Sequence, residues 1–441
     1  MLHPHIWPIS AEQRDGLLVI GGCATTDLAA TYGTPLYLLD EATLRGTMRT
    51  YQAAFGATGL RFRVHYAAKA LLNHALAQIV AQEGLGLDVV SGAELLVAQR
   101  AGLPPAHIHL HGNAKSESEL QRALDWGVGA VVVDNLDELD LLAAMSLGRT
   151  QPQGILLRLA PNIAARTHAH IATGSADAKF GLPLDALDEA ARRAMAAPGL
   201  RLLGLHAHIS SQLFDLGDLQ ATVEILCAAA ARLRDVHGVQ VVELSPGGGL
   251  GVPYTAEQPA PDLTAYATTL AAALRQGCAT YGLDPIPTLT VEPGRSIVAR
   301  AGVALYQIVA RKWRGDTTHY LHVDGGMADN IRPALYGARY TALLANRVDA
   351  VAEAAVTIAG RYCESGDLLI RDLPLPPAHP GDLLAVAVAG AYTLSMASSY
   401  NLTPRPALIL VGEGRARLIQ RREQEEDLLA RDLPLEIEDA P

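Results

Sequence analysis

Lysine is scarce in this chain: Lys69, Lys115, Lys179 and Lys312 are the only four, and the other cationic side chains are arginines. Lys69 stands at the end of "RFRVHYAAKA" (61–70), an extended run of the kind that lies in a core. Desolvation disfavours the charged form of an amine. A neutral amine attacks carbonyl carbon, so Schiff-base chemistry is the use that fits. Read alone, a lysine at a strand end simply reaches into water, so Lys69 needs partners to carry an argument. Lys115, Lys179 and Lys312 sit in "NAKSESEL", "TGSADAKFG" and "RKWRGD" and are weaker candidates. The small Ala67, Ala68 and Ala70 leave room beside Lys69 for a flat molecule.

Further along, three stretches offer complementary chemistry. In "SPGGGLG" (245–251), Gly247, Gly248 and Gly249 let backbone N–H groups approach an anion closely. A glycine triplet alone is more often a tight turn. In "EPGR" (292–295), Gly294 and Arg295 suit a phosphate, and Glu292 is a carboxylate in an apolar strand context that calls for a cationic partner. In "GLHAHIS", His206 and His208 supply flat rings. Asp88, Asn113 and Arg158 fall at comparable positions in other runs.

These residues share one placement. Short β-type runs alternate with alanine- and leucine-rich amphipathic stretches from residue 60 to about 295. The runs are "RFRVHYA" (61–67), "GLDVVS" (86–91), "IHLHGN" (108–113), "AVVVDN" (130–135), "ILLRLA" (155–160), "LLGLHAHIS" (202–210), "VVELSPGGG" (241–249) and "TLTVEPGR" (288–295). Such alternation predicts parallel strands with helical crossovers, and eight units predict a closed (β/α)8 barrel of TIM type. An open doubly wound sheet is the alternative. In a barrel, the candidates fall at the carboxyl ends of strands and converge on one rim.

After about residue 300 the pattern becomes alternating strands between turns, as in "GVALYQIVA", "HYLHVDGG", "AAVTIAG", "DLLAVAVAGAYT" and "ALILVG". This predicts an all-β second domain, with "RDLPLPPAHPGD" (371–382) as a proline-rich loop and a charged, partly frayed C-terminus. "TPLYLLD" (34–40) is a strand that can join that domain. The expected division is an N-terminal segment 1–40, a barrel 41–298 and a C-terminal β domain 299–441. The net charge of −11 argues against general nucleic-acid or anionic-membrane binding. No apolar run reaches membrane-spanning length and no signal peptide is evident. Cys23, Cys227, Cys278 and Cys363 are scattered, so the expectation is no metal site, no disulfide framework and a reducing cytoplasm.

A lysine for an aldehyde, a carboxylate for a ring nitrogen, glycine amides and an arginine for a phosphate, and a flat ring for stacking are together the parts that a pyridoxal 5'-phosphate site needs. The sequence resembles the diaminopimelate decarboxylases, within the alanine-racemase-like pyridoxal phosphate enzymes. The likeness spans roughly residues 30–415 and rests on "YAAKA", "GLDVVSGAEL", "HGNAKS", "HAHIATGSADAKFGL", "GLHAHISSQ", "GGGLGVPY", "EPGRSIVARAG", "VDGGMADNIRPALY", "CESGD" and "GAYTLSMASSYN".

The resemblance implies that Lys69 carries the cofactor covalently, that Asp88 lies near it, that His208 stacks on its ring and that Glu292 faces its nitrogen. Ser211, Gly247–Gly249, Gly294, Arg295 and Tyr392 would serve the phosphate region, with Arg295 and Tyr392 also near substrate. Arg332 and Tyr336 would bind the far end of an amino-acid substrate. Cys363, as proton donor, and Glu364 would come from the partner subunit of a homodimer with shared sites. Ser210 stands where the family usually has glycine, and Pro246 precedes the glycine run; neither change removes a functional group. The implied reaction is decarboxylation of meso-diaminopimelate to L-lysine. Alternatives are a decarboxylase of ornithine, arginine or a carboxylated polyamine, an amino-acid racemase, and a non-catalytic binding protein. Glu292 argues against the racemase, whose chemistry favours an unprotonated ring nitrogen.

Overall fold

The computed structural model describes residues 2–163, 179–314 and 317–435. The chain divides into two compact units, Ala42–Arg300 and Met1–Glu41 with Ala301–Pro441.

In Ala42–Arg300, eight strands among the described residues form a closed parallel ring: Phe62–Ala67, Gly86–Val89, Ile108–Leu110, Ala130–Val133, Gln153–Ala160, Leu200–His206, Glu243–Ser245 and Thr288–Val291. The closing pair sets Leu289, Thr290 and Val291 against Phe62, Arg63 and Val64, which rules out the open sheet. A short strand, Leu182–Pro183, pairs beside the fifth.

Local chemistry sets the strand-to-helix turns. Four successive helices begin on a side chain that accepts a hydrogen bond from the backbone N–H three residues on: Asn73 from Leu76, Ser91 from Glu94, Ser116 from Glu119 and Asn135 from Glu138. The outward-facing strand residues, such as Val64, Tyr66, Leu87, Val89, Ile108 and Leu110, are buried with the helix residues Leu76, Ile79, Leu95 and Leu120. Burying each such side chain contributes about 1.5–3 kcal/mol, so this layer is the unit's main apolar core.

Alternate residues of the strands face inward. Ala130, Val132 and Leu156 form an apolar cluster with Leu203 against it. The other strands turn charged and polar groups toward one another inside the ring, which departs from the branched apolar filling usual in such barrels. One strand needs a glycine for this: a Cβ on Gly204 would overlap the carbonyl oxygen of Glu243.

The second unit is β-rich, with short helices at Thr25–Tyr32, Arg332–Tyr336 and Glu425–Leu429. Its long strand Gly302–Arg314 pairs antiparallel with Leu36–Asp40, Thr317–Val323 and Leu383–Val386. Leu36–Asp40 also pairs in parallel with Ala407–Gly412, so the N-terminal strand sits between two strands from the C-terminal part.

One expectation is corrected here. The first half of "RDLPLPPAHPGD" is the end of strand Leu368–Leu375, which tolerates Pro374 because it is the edge of the sheet. The charged C-terminal stretch carries strand Arg415–Gln420 and helix Glu425–Leu429, with Arg421 Nη2 donating to Asp427 Oδ1 at 2.7 Å. No helix among the described residues is long and apolar enough to cross a membrane.

Replacing Gly204 by alanine should destabilise the barrel by roughly 2 kcal/mol or more, because the methyl group must displace backbone rather than a mobile side chain. The check is the midpoint of thermal unfolding, which should fall by several degrees.

Candidate active site

The site is built on Glu292, the first residue past the eighth barrel strand. Its Oε1 accepts from Ser245 Oγ at 2.6 Å, and its Oε2 lies 2.9 Å from His206 Nε2. His111 Nε2 lies 3.9 Å away. Burial, with the charge of Asp88 nearby, raises the Glu292 pKa to about 7. Burial would also raise Asp88, but His111 at 3.5 Å and His65 at 3.1 Å outweigh it and hold Asp88 below the usual carboxylate range. Ligand-type atoms of Asp88, His109, His111 and Glu292 all lie within 4.8 Å of one another, so their charges are strongly coupled. Burial keeps His206 and His208 well below the usual histidine range; Arg158 adds to this at His206 and Lys69 at His208.

Polar groups continue inward beneath Asp88. The rings of His65 and His109 are 4.1 Å apart, and His109 Nε2 is 3.6 Å from Glu243 Oε1. Glu243 accepts from Thr290 Oγ1 at 2.7 Å and from Arg63 Nη1 at 2.5 Å. The Arg63 side chain is 50% exposed, so this line of groups runs from the buried carboxylates to water. Sequence reasoning missed Arg63, His65, His109, His111, Glu243 and Ser245. The signal was present as every-second-residue polarity in "RFRVHYA", "IHLHGN" and "VVELS".

The glycine loop owes its composition to packing. A Cβ on Gly247 would come within 2.6 Å of His208 Nδ1, and one on Gly249 within 2.6 Å of the Ser210 carbonyl. A Cβ on Gly248 would overlap the Glu292 carbonyl. Glu292 N donates to Gly247 O at 3.0 Å, and Gly247 N donates to Ser245 Oγ at 3.1 Å. Three segments, His208–Ser211, Gly247–Gly249 and Glu292–Arg295, are thereby drawn together. Ser210 is fully buried beside this loop. Arg295 Nε and Nη2 each lie 3.1 Å from Ser211 Oγ, and its Nη1 donates to Tyr254 OH at 2.8 Å. Tyr254 was a further omission, although it closes the "GGGLGVPY" motif.

Lys69 follows the first barrel strand in a single 3-10 turn, Ala68–Ala70. It is exposed, not desolvated as the sequence suggested, because the chain turns out of the strand after Ala67. The Cβ atoms of Ala67 and Ala70 both lie 3.1 Å from where a Cβ on Gly294 would be. They tie the Lys69 turn to the "EPGR" segment, and Ala67 N donates to Pro293 O at 3.1 Å. The buried lysine is Lys115, whose side chain is 2% exposed. Its ammonium donates to Gly112 O, Val132 O and Glu138 Oε1 at 2.6, 2.7 and 2.7 Å. Arg158 lies over the Phe180 ring at 4.5 Å, and Asn113 Nδ2 reaches Lys179 O at 3.4 Å. The stretch 164–178, which holds most of "HAHIATGSADAKFGL", lies outside the described residues.

The remaining candidates are in the β-rich unit. Arg332 is buried at the start of helix Arg332–Tyr336, with its guanidinium carbon 5.9 Å from the Tyr336 ring centre. Cys363 and Glu364 are exposed on the turn after strand Ala354–Ala359; Cys363 N donates to Asn401 Oδ1 at 3.2 Å. Tyr392 is half-buried with φ +58°, a left-handed backbone that non-glycine residues seldom adopt outside constrained sites.

Residues 41–299, which include every barrel strand, match the family described as pyridoxal-dependent decarboxylase, pyridoxal binding domain. The diaminopimelate decarboxylase of Halalkalibacterium halodurans is 43% identical over 95% of this chain and 96% of its own. That of Bacillus subtilis is 42% identical over 96% of this chain and 97% of its own. This chain belongs to the diaminopimelate decarboxylase family. Among solved structures, the diaminopimelate decarboxylase of M. jannaschii in complex with L-lysine matches with a TM-score of 0.89 at 33% identity, covering 96% of this chain and 98% of that one.

The site fits the family's cofactor on its own chemistry. A buried carboxylate that titrates near neutrality can face a ring nitrogen, and a lysine amine stands at the open end of the same ring of strands.

The raised Glu292 pKa predicts a pH-dependent stability. A carboxyl group that binds its proton more tightly when folded stabilises fully below its unfolded pKa, and that contribution is lost as pH rises through about 7. In cofactor-free protein, Glu292→Gln should therefore raise stability by on the order of 2 kcal/mol at pH 8 and change it little at pH 4.5. Thermal unfolding of both proteins across this range is the measurement.

Proposed function

We propose that this chain decarboxylates meso-diaminopimelate to L-lysine and CO2, using pyridoxal 5'-phosphate. The observation that carries the reading is Glu292, a near-neutral buried carboxylate set beside glycine-lined backbone in a barrel whose first strand delivers Lys69. Membership of the diaminopimelate decarboxylase family supports the substrate.

When bound, the cofactor supplies an electron sink for cleavage of a bond at the α-carbon of an amino acid. Lys69 holds it covalently through the side-chain amine, and Glu292 keeps a proton on the ring nitrogen. His208 packs against the ring and, being neutral, adds no competing charge. Asp88 adds a second negative charge beside Glu292, which also favours a proton on the ring nitrogen. Arg295, Ser211, Gly248, Gly249, Gly294 and Tyr392 hold the phosphate region, where guanidinium and backbone N–H groups suit phosphate oxygens.

Substrate recognition falls to the other unit. A substrate whose far end is itself an amino acid needs a cation and an anion to meet it. Arg332 takes the far carboxylate, with Tyr336 beside it, and Glu364 takes the far ammonium. A substrate ending in a simple amine would be repelled by Arg332, which disfavours ornithine. Loss of CO2 breaks one carbon–carbon bond, and the Cys363 thiol gives its proton to form the new carbon–hydrogen bond. Water then reprotonates the thiolate. We assign Cys363 and Glu364 to the neighbouring site of a homodimer.

Purified protein should be yellow, and Lys69→Ala should be colourless and inactive. CO2 release should be far faster from meso-diaminopimelate than from ornithine or arginine; a preference for ornithine would remove the role given to Arg332. Cys363→Ala should lower kcat by roughly 10²- to 10⁴-fold, the range for loss of a positioned proton donor. Mixing Lys69→Ala with Cys363→Ala subunits should restore part of the activity, because one of the two sites in a mixed dimer is then intact. No recovery after verified subunit exchange would contradict shared sites.

A further inference from the structure

Two loops of the β-rich unit carry the side chains assigned to substrate, and one buried carboxylate holds both. The first loop, residues 324–331, leads into helix Arg332–Tyr336. The second, residues 360–367, carries Cys363 and Glu364 between strands Ala354–Ala359 and Leu368–Leu375. Asp367 is 3% exposed. Its Oδ1 accepts from the backbone N–H of Met327 at 2.7 Å, and its Oδ2 accepts from that of Tyr362 at 2.9 Å. The two bonds thus go to different loops.

The neighbouring backbone is shaped around this carboxylate. A Cβ on Gly326 would come within 2.5 Å of Asp367 Oδ1, and one on Gly360 would overlap the carboxylate from the other side. Arg361 N donates to Gly325 O at 3.1 Å, which closes the junction with a direct loop-to-loop bond. Asp367 N also donates to Glu364 O at 3.1 Å, which fixes the turn that presents Cys363 and Glu364. Hydrogen bonds to a charged acceptor are stronger than neutral ones, and two from a single rigid carboxylate fix a separation as well as an attachment. Burial pushes the Asp367 pKa up and these amide bonds oppose it.

We propose that Asp367 is a positioning residue that sets the Arg332 loop and the Cys363 loop in register, so that one side chain governs both substrate anchoring and proton delivery. This rests on the substrate-facing roles given above to Arg332, Tyr336, Cys363 and Glu364. In a homodimer with shared sites the two loops serve different active centres, so Asp367 also ties one centre to its neighbour. Asp329 makes a useful contrast. Its Oδ1 accepts from Gly326 N at 2.8 Å, and its Oδ2 accepts from Tyr37 OH at 2.9 Å and also from Tyr306 OH, so it braces the first loop alone.

The test uses the holoenzyme and four variants: Asp367→Asn, Asp329→Asn, Arg332→Gln and Cys363→Ala. The readouts are KM and kcat for meso-diaminopimelate, and the rate of Cys363 alkylation by iodoacetamide followed by peptide mass spectrometry. Asparagine presents one acceptor oxygen and an NH2 group that only donates, so Asp367→Asn must break one loop bond and slacken the junction. It should raise KM at least fivefold, lower kcat at least tenfold and speed Cys363 alkylation at least threefold. Asp329→Asn should raise KM while leaving Cys363 alkylation within twofold of the parent. If Asp367→Asn leaves all three quantities within twofold, or if both aspartate variants change them alike, the proposal is overturned. Arg332→Gln and Cys363→Ala separate the two layers of the argument. If they are impaired while Asp367→Asn is normal, only the role of Asp367 fails; if they behave as the parent does, the underlying site assignment fails. Should Asp367→Asn not fold, Gly360→Ala, which drives a methyl group against the carboxylate without removing its charge, is judged by the same thresholds.

Discussion

A carboxylate inside a barrel is expensive unless its oxygens are met, and Glu292 organises its unit around that requirement. Ser245 and His206 take its two oxygens, at 2.6 and 2.9 Å. These partners come from the seventh and sixth strands, so the satisfied carboxylate holds three neighbouring strand ends in one arrangement. The backbone follows the same demand. Gly248 must lie against the Glu292 carbonyl, which no side chain at that position would permit. The glycine loop then brings His208, Ser211 and Arg295 to the same end of the ring. Removing one partner would leave a desolvated charge without compensation, which is costlier than losing an ordinary contact.

The polar interior changes where stability comes from. In Ala42–Arg300 the ring interior carries an apolar cluster at Ala130, Val132 and Leu156. Elsewhere it holds Arg63, His65, Asp88, His109, His111, Arg158, His206, Glu243 and Glu292, most of them buried. Hydrophobic stabilisation must therefore come from the outward strand faces and the helices that cover them. The interior is free to be chemical because the exterior layer carries the fold. Within it, two carboxylates are pushed in opposite directions: neighbouring histidines keep Asp88 ionised, while burial and Asp88 itself push Glu292 toward the neutral form. Like charges held close cannot both be cheaply ionised, and the histidines decide which one is.

The β-rich unit uses buried carboxylates for a different purpose. Asp329 and Asp367 are 2% and 3% exposed, and both accept backbone N–H groups of the glycine-rich turn at Gly325–Met327. The turn has little side-chain bulk to hold it, so acceptors at fixed positions do so instead. The strand Leu36–Asp40, set between Gly302–Arg314 and Ala407–Gly412, secures the sheet beneath through pairings some 265 to 370 residues apart in the chain. Its Tyr37 donates to Asp329 at 2.9 Å, so the N-terminal strand also steadies the loop that leads to Arg332.

The architecture was largely legible, because hydrophobic period and helix-capping residues are local properties. All eight barrel strands and the strand-rich second half follow from periodicity, and the capping residues Asn73, Ser91, Ser116 and Asn135 lie at the turns that the pattern requires. Glu292 and the glycine loop were legible by residue type. Their environment was not. Sequence context suggested a desolvated Lys69, yet the buried lysine is Lys115, because burial depends on where the chain turns and on which carbonyls come within reach. The glycine triplet suggested anion-binding amides, while the packed structure adds a steric reason that involves the Glu292 backbone, 44 residues beyond Gly248. The paired histidines of "IHLHGN" and the serine of "VVELS" looked like ordinary strand residues until the ring closed and turned them inward. Chemistry that depends on residue type and short-range period belongs to the sequence by itself; which charges meet, which lysine is dry and which aspartate spans two loops depend on contacts between distant segments, and only the closed tertiary structure supplies those.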